Sequence, residues 1–205
     1  MGYQFRYTPA VERLRALVRE GLLGDLFFFR ARIGTSQSGY EQNRPELRRY
    51  PGGIFFELGC HVLDVAVDLL GSPERASPFL RTDFGDDPEF VDSALAVLEY
   101  ARAMAVVESA AMEVDGFGAR RIEVYGTGGT AILAPIYPCR SLRLSLDRDA
   151  PPYRQGWQDV EVEERPLFLQ DLREFVACIH GKAPEYSLDH DLAVQETLLR
   201  ICAST

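Results

Sequence analysis

The sequence predicts an α+β domain in which helices cover one face of an open, mostly antiparallel β-sheet. From residue 76 onward, short segments of strand-like composition follow one another with only short turns between them, and short turns favour antiparallel neighbours. Helical patterns lie towards the two ends of the sequence rather than between these strands, which favours helices gathered on one face. With 46% hydrophobic and 26% charged residues, the 205-residue chain is typical of a packed globular domain.

The N-terminal region predicts a strand over residues 2–7 and then an amphipathic helix over residues 9–20. Thr8 is expected to cap this helix, and Pro9 to occupy its first position, where the missing N–H costs nothing. A second, strongly apolar helix is predicted over residues 53–70, after a long loop over residues 34–51 of the kind that is often functional.

The remaining elements follow from alternation and from composition rich in β-branched and aromatic residues. The predicted strands are Leu26–Ile33, Ala76–Asp83, Ser93–Glu99, Met104–Glu113, Arg121–Tyr125, Thr130–Ala134, Ser141–Leu146 and an alternating segment around Val160 and Val162. Two helices close the chain, Leu167–His180 and about Leu188–Ala203, the second capped by Ser187.

Charge and cysteine usage narrow the class of protein. The net charge of −9 leaves no basic face of the kind that nucleic-acid binding requires. No signal peptide pattern and no apolar stretch of membrane-spanning length are visible. The four cysteines are far apart and form no Cys-x-x-Cys pair, which indicates free thiols in a reducing compartment. We therefore expect a soluble, cytoplasmic protein that binds neither nucleic acid nor membranes.

The helix over residues 53–70 carries the one group of residues that suggests chemistry. Its polar positions are spaced by four, three and four residues, so that they share one narrow face of a helix: Glu57, His61, Asp64 and Asp68. A histidine takes up or releases a proton near neutral pH, and neighbouring carboxylates orient it or accept hydrogen bonds from substrate hydroxyls. The pattern thus predicts acid–base chemistry.

Two other interpretations of this face stay open. A half-buried helix needs a polar side towards water, and these residues would supply one without any chemistry. Glu57 and His61, four residues apart, could also share a metal ion, but the sequence offers no obvious third ligand, since His180 and His190 are expected in surface or capping roles.

The segment Gly126–Gly129 follows a strand and superficially suggests a nucleotide-binding loop. A dinucleotide fingerprint requires Gly-x-Gly-x-x-Gly followed by a helix, whereas here another predicted strand follows. The segment is therefore interpreted as the turn of a β-hairpin, and no phosphate cradle is expected in this chain.

Taken together, these segments resemble the C-terminal domain of the glucose–fructose oxidoreductase/inositol dehydrogenase/MocA (Gfo/Idh/MocA) family. The likeness lies in residues 2–10, in residues 20–25 before a Phe-rich strand, in the Gly52-Gly53 pair with Glu57, Gly59, His61 and Asp64, and in residues 122–130. The resemblance implies a single domain over residues 1–205, with a fold like the C-terminal domain of glyceraldehyde-3-phosphate dehydrogenase and with residues 1–7 as the junction strand from a Rossmann domain that this chain lacks.

The same resemblance implies roles for individual residues in a sugar, polyol or related hydroxy-compound oxidoreductase. His61 would transfer a proton and Glu57, where the family usually has Asp, would support it or touch substrate. The longer side chain of Glu57 could shift a hydrogen bond enough to change the substrate or to weaken catalysis. Contacts with the small-molecule substrate are expected from Asp64, Arg6, Tyr40 and Asn43.

The resemblance further implies a nicotinamide cofactor, NAD or NADP, held by the Rossmann half. The chain alone is therefore expected neither to bind the cofactor nor to be active. A homodimer through the open face of the sheet is also expected. The alternative function is a non-catalytic substrate-binding or dimerisation domain that works without a cofactor half of its own.

Overall fold

Eight strands form one open sheet in the computed structural model, which describes residues 2–36, 44–83 and 90–203. The strands are β1 (Leu26–Gly34), β2 (Arg75–Arg81), β3 (Ser93–Glu99), β4 (Met104–Ala110), β5 (Arg121–Gly126), β6 (Gly129–Leu133), β7 (Ser141–Leu146) and β8 (Gly156–Glu161). Their order across the sheet is β2-β3-β4-β1-β5-β6-β7-β8. Only the β1–β4 pair is parallel, so the predicted α+β class with a mostly antiparallel sheet is confirmed.

Helices cover one face of this sheet, and a large apolar core lies between them and the strands. They are α1 (Pro9–Arg19), the short α2 (Arg44–Leu47), a π-helical turn (Phe55–Gly59), α3 (Cys60–Leu70), α4 (Leu169–Ile179) and α5 (Leu188–Cys202). Helix α3 packs on β1 and β4, α5 packs on α3 and β2, and α1 packs on α3 and β7. Alternate strand residues such as Phe29, Ala31 and Ile33 are fully buried on this side.

The predicted helix cap is confirmed for Ser187 and is wrong for Thr8. The Ser187 hydroxyl accepts a hydrogen bond from the His190 amide at 3.1 Å and caps α5 as predicted. Thr8 occupies the cap position of α1, but its hydroxyl donates to the Phe5 carbonyl at 2.8 Å instead of accepting from the helix. Thr8 therefore stabilises the turn that precedes α1.

The predicted strand over residues 2–7 is wrong, because these residues form consecutive turns. The Thr8 amide donates to the Phe5 carbonyl at 3.0 Å, and the Arg6 amide donates to Tyr3 at 3.3 Å. Tyr3, Phe5 and Arg6 are all buried, whereas a strand would place adjacent residues 5 and 6 on opposite faces. Burial of both side chains in the interior thus favours the turn over an extended backbone.

The helix predicted over residues 53–70 is divided into two parts. The turn over Phe55–Gly59 is π-helical, and regular α-helix begins at Cys60. A Cβ at Gly59 would lie 3.0 Å from the Phe55 ring, so glycine permits the close packing of that ring inside the turn. Since a π-helical turn holds more residues than an α-helical turn, Glu57 is rotated away from the line of His61 and Asp64.

The cysteines agree with the sequence analysis: all four are free thiols, and Cys60, Cys139 and Cys202 are buried. No helix in the described ranges is long and apolar enough to span a membrane.

Candidate functional site

A cavity of about 550 Å³ lies where the N-terminal turns meet the π-helical turn and the loop before β5. Its wall is partly apolar, with a few polar groups, which is typical of small-molecule sites. The lining residues are Gln4, Phe5, Thr35, Leu47, Glu57, Leu58, Phe117, Arg120, Tyr137, Pro138 and Leu167. Elements distant in sequence therefore form it, and it can hold a compact polar ligand.

Glu57 projects from the π-helical turn and lines this cavity. Burial raises the pKa of its carboxyl above the ordinary value, and the positive charge of Arg120 acts in the opposite direction. A carboxyl with a raised pKa can both accept and donate a proton closer to neutral pH than an exposed one. Glu57 thus places a carboxyl with a raised pKa on the cavity wall.

His61 lies one turn further along, at the start of α3, in contact with aromatic side chains. The rings of Tyr3 and Phe5 meet it edge-on, with centroid distances of 6.5 and 5.8 Å. Its Nε2 lies 3.5 Å from the side-chain nitrogen Nε2 of Gln4, a residue that lines the cavity. Its Nδ1 is buried and has no hydrogen-bond partner among the described residues.

Burial lowers the pKa of His61 to about 4, although the charge of Asp64 acts in the opposite direction. The imidazole is therefore neutral at pH 7 and able to accept a proton. Gln4 stands between this imidazole and the cavity. The structure thus brings the predicted residues Glu57 and His61 to one region, with Glu57 on the cavity wall and His61 behind Gln4.

Asp64 and Arg6 form a buried ion pair beneath this region. Asp64 is fully buried, and Arg6 is 5% exposed. Arg6 donates from Nε to Asp64 at 3.1 Å and from Nη2 to its other carboxylate oxygen. Arg6 also pairs with Asp191 at 2.8 Å, and His190 Nε2 lies 2.9 Å from Asp64. Both residues, predicted as substrate contacts, are engaged with protein partners.

Each residue of the polar face predicted for the helix has its own surroundings, and all except the buried Asp64 are half-buried. Glu57 faces the cavity, His61 faces Gln4 and aromatic rings, Asp64 faces Arg6, and Asp68 pairs with Arg15 at 2.7 Å. The predicted substrate contacts Tyr40 and Asn43 lie outside the described residues. Within the described ranges, no group of three or more His, Cys, Asp or Glu side chains is placed to hold a metal ion.

Three residues of this region were not identified from the sequence. Gln4 and Arg120 line the cavity, and His190 reaches Asp64 from α5. In the sequence, Arg120 is distinguished only by its place beside Arg121 at the start of a predicted strand, which does not indicate a site residue. His190 is 126 positions from Asp64, so only the tertiary fold shows that they meet.

The glycine-rich turn Gly126–Gly129 does not fit a nicotinamide nucleotide. It joins β5 to β6 as a hairpin, as predicted, and its backbone donors are occupied. The Gly128 amide donates to Leu23 at 2.9 Å, and the Thr127 amide donates to Asp25 at 3.0 Å. A Cβ at Gly126 would lie 2.0 Å from the Leu23 carbonyl oxygen. These glycines pack the hairpin against the segment after α1, and no phosphate cradle results.

Comparisons with known proteins identify relatives of this chain. Residues 11–132, more than half of the sequence, match the family model described as GFO/IDH/MocA C-terminal domain. The chain is 27% identical over 137 residues to the uncharacterized oxidoreductase YrbE of Bacillus subtilis, covering 64% of this chain and 38% of that protein. It is 26% identical over 203 residues to D-apiose dehydrogenase of Paraburkholderia graminis, covering 89% and 50%.

A solved structure of levoglucosan dehydrogenase in complex with NADH and L-sorbose has the same fold, with a TM-score of 0.76 at 18% identity. The match covers 98% of this chain and 63% of that one. The matched part of the chain spans 38% of the length of YrbE and 50% of the length of D-apiose dehydrogenase.

Proposed function

The chain belongs to the Gfo/Idh/MocA C-terminal domain family, and on that premise we propose that it is the substrate-binding and dimerisation part of an NAD(P)-dependent oxidoreductase. Its substrate in this proposal is a sugar, a polyol or a related hydroxy compound. Relatives named as a D-apiose dehydrogenase and as a levoglucosan dehydrogenase bound to NADH and L-sorbose support this choice. The observation that carries the proposal is the cavity with Glu57 on its wall and His61 behind Gln4.

In this proposal Glu57 binds a substrate hydroxyl and His61 is the proton-transfer residue. Oxidation of an alcohol removes a hydride from carbon and a proton from oxygen, and His61 Nε2 takes the proton once the Gln4 side chain, 3.5 Å from it, gives way to the substrate. The imidazole is neutral at pH 7, which is the state that accepts a proton, but a pKa of about 4 makes it a weaker base than an ordinary histidine. The charge of Asp64 favours the protonated imidazole that follows.

Arg6 and Asp64 are proposed to position the site rather than to contact substrate. The buried pair fixes the N-terminal turns to α3. Those turns carry Tyr3, Gln4 and Phe5, the residues around His61. Loss of the pair would therefore release both Gln4 and the imidazole from their present orientation.

The glycine-rich turn Gly126–Gly129 does not fit the nicotinamide cofactor. We therefore propose that a separate nucleotide-binding domain holds it. The surface of α4 supports a contact with such a nucleotide-binding domain. Leu172, Phe175 and Ile179 on this helix are each more than 60% exposed, and Glu174 is its one buried residue. An apolar helix face of this size is typical of a surface that another domain covers.

The open face of the sheet is proposed to form a homodimer. It combines half-exposed apolar side chains, including Phe79, Met104 and Trp157, with paired charges such as Arg30 and Glu108, which lie 2.7 Å apart. A sheet face with exposed apolar residues is stabilised when a second copy covers it.

The substrate role can be tested by NMR titration of the ¹⁵N-labelled protein with D-apiose, levoglucosan, D-glucose and myo-inositol. We expect amide shifts confined to the cavity wall, at Gln4, Glu57 and Leu58. Glu57→Gln should weaken binding, and Glu20→Gln, which changes an exposed carboxylate at the end of α1, is the matched control. Shifts that avoid the cavity, or none up to high millimolar concentration, would contradict a substrate-binding role.

A further inference from the structure

Arg120 is a buried cation on the cavity wall that the proton-transfer scheme leaves unused. It is 8% exposed, and its Nε donates to the Gly34 carbonyl at 3.1 Å. Its guanidinium lies 4.1 Å from the centre of the Phe117 ring, which also lines the cavity. Backbone and ring therefore fix the plane of the guanidinium at the wall.

The terminal amino groups of Arg120 have no acceptor among the described residues, since its one side-chain hydrogen bond is that from Nε. No nitrogen of Arg120 is both fully buried and without a partner. The terminal amino groups lack a partner in the described part of the chain, so they must be accessible from open space. Arg120 and the Phe117 ring against its guanidinium both line the cavity, so this open side of the guanidinium is assigned to the cavity. An arginine with a purely structural role would direct these donors to protein acceptors.

The charge of this arginine is only partly compensated. Burial lowers its pKa, while Glu57 and Glu113 act at longer range in the opposite direction. Within the described part of the chain, neither carboxylate forms an ion pair with it, and Glu113 is paired with Arg32 at 2.9 Å. A buried cation of this kind is stabilised by an anion that brings acceptors to its free donors.

We propose that Arg120 forms an oxyanion subsite in the cavity and that the substrate is a hydroxy compound carrying a carboxylate, such as a uronic or aldonic acid. This rests on the proposed function and specifies its substrate class. The two terminal amino groups bind the two carboxylate oxygens, as a planar guanidinium allows. The hydroxyl groups of the same molecule then face Gln4 and Glu57.

A carboxylate fits better than a phosphate for a reason of charge. Arg120 is the one cationic side chain on the described wall, and Glu57 contributes a carboxyl to the same cavity. A phosphate ester carries close to two negative charges at pH 7, which this wall would leave largely uncompensated. A carboxylate carries one, and the raised pKa of Glu57 reduces its repulsion.

The proposal is tested by titrating the ¹⁵N-labelled protein at pH 7 with matched pairs, D-glucuronate against D-glucose and D-galacturonate against D-galactose. The Arg120 Nε–H resonance reports the subsite directly, and the Gln4 and Glu57 amides report the cavity. We expect at least one uronate to shift the Arg120 signal and to bind about 10- to 100-fold more tightly than its neutral partner.

Arg120→Gln should abolish this preference. Arg121→Gln, which removes the same charge from the adjacent residue, should retain it because Arg121 is exposed and pairs with Glu123 at 2.7 Å. The Arg120 resonance in the unmodified protein decides the matter even if Arg120→Gln does not fold. Equal binding of uronate and hexose at the cavity would overturn the carboxylate subsite and leave the proposed function intact.

Preference for D-glucose 6-phosphate over D-glucuronate would overturn the choice of carboxylate. If neither acids nor neutral sugars disturbed the cavity amides, the proposed function would fail together with the subsite.

Discussion

Replacing Asp64 with alanine should destabilise the fold by about 3–5 kcal/mol, the usual cost of breaking a buried ion pair from one side. Asp64 is fully buried and accepts two hydrogen bonds from Arg6, which is itself 5% exposed. After the change Arg6 would keep one carboxylate partner among the described residues, the partly exposed Asp191 at 2.8 Å. His190 would lose its contact at 2.9 Å as well.

Urea unfolding followed by circular dichroism measures this loss. With a typical slope of about 2 kcal/mol per molar urea, the midpoint should fall by roughly 1.5–2.5 M. Asp64→Asn, which keeps the volume and one acceptor, should cost less. Glu164→Ala breaks the exposed pair with Arg140 and should cost below about 1 kcal/mol. If Asp64→Ala were no more costly than Glu164→Ala, the buried pair would not hold the N-terminal turns on α3.

Four further outcomes are expected. The pKa of His61 is about 4 in the folded protein and about 6.5 in the unfolded chain, so the unfolded chain binds a proton more readily. The free energy of unfolding should therefore fall by up to about 3 kcal/mol as the pH drops from 6.5 to 4. In His61→Phe, the urea midpoint should depend less steeply on pH. Assembled with a nucleotide-binding domain, His61→Ala should lower kcat by about 10²- to 10⁴-fold, and unchanged turnover would remove the histidine from the mechanism. Calorimetry should detect no binding of NAD⁺ or NADP⁺ to this chain, and a clear isotherm would contradict the account of the glycine-rich turn. Light scattering should show a dimer that Val106→Arg on the open sheet face weakens, and a monomer independent of concentration would exclude that interface.

The sheet could be predicted closely because its signal is local. Ser93–Glu99 and Ser141–Leu146 have the predicted bounds, since inward and outward side chains alternate along each strand. The hairpin at Gly126–Gly129 was likewise predicted from glycines between two strands. One side of each strand faces the core, so apolar and polar residues alternate along the sequence of the strand.

The N-terminal turns and the π-helical turn could not be predicted because their causes are tertiary. Residues 2–7 have the composition of a strand, but Arg6 is drawn inward by Asp64, 58 positions away. Phe55–Gly59 has the pattern of an ordinary helix, but in the structure it forms a π-helical turn in which the Phe55 ring packs closely on Gly59. Local propensity is a weak guide wherever a buried ion pair or a ring contact decides the backbone.

Burial explains the electrostatics of the cavity with a single cause. Desolvation disfavours charge of either sign, so it raises the pKa of Glu57 and lowers that of His61, moving both towards their neutral forms. It also lowers the pKa of Arg120, but a guanidinium stays protonated throughout the working pH range. Burial therefore favours the neutral forms of Glu57 and His61 but leaves the positive charge on Arg120. A substrate carboxylate would compensate that charge and leave the neutral imidazole of His61 to accept the hydroxyl proton.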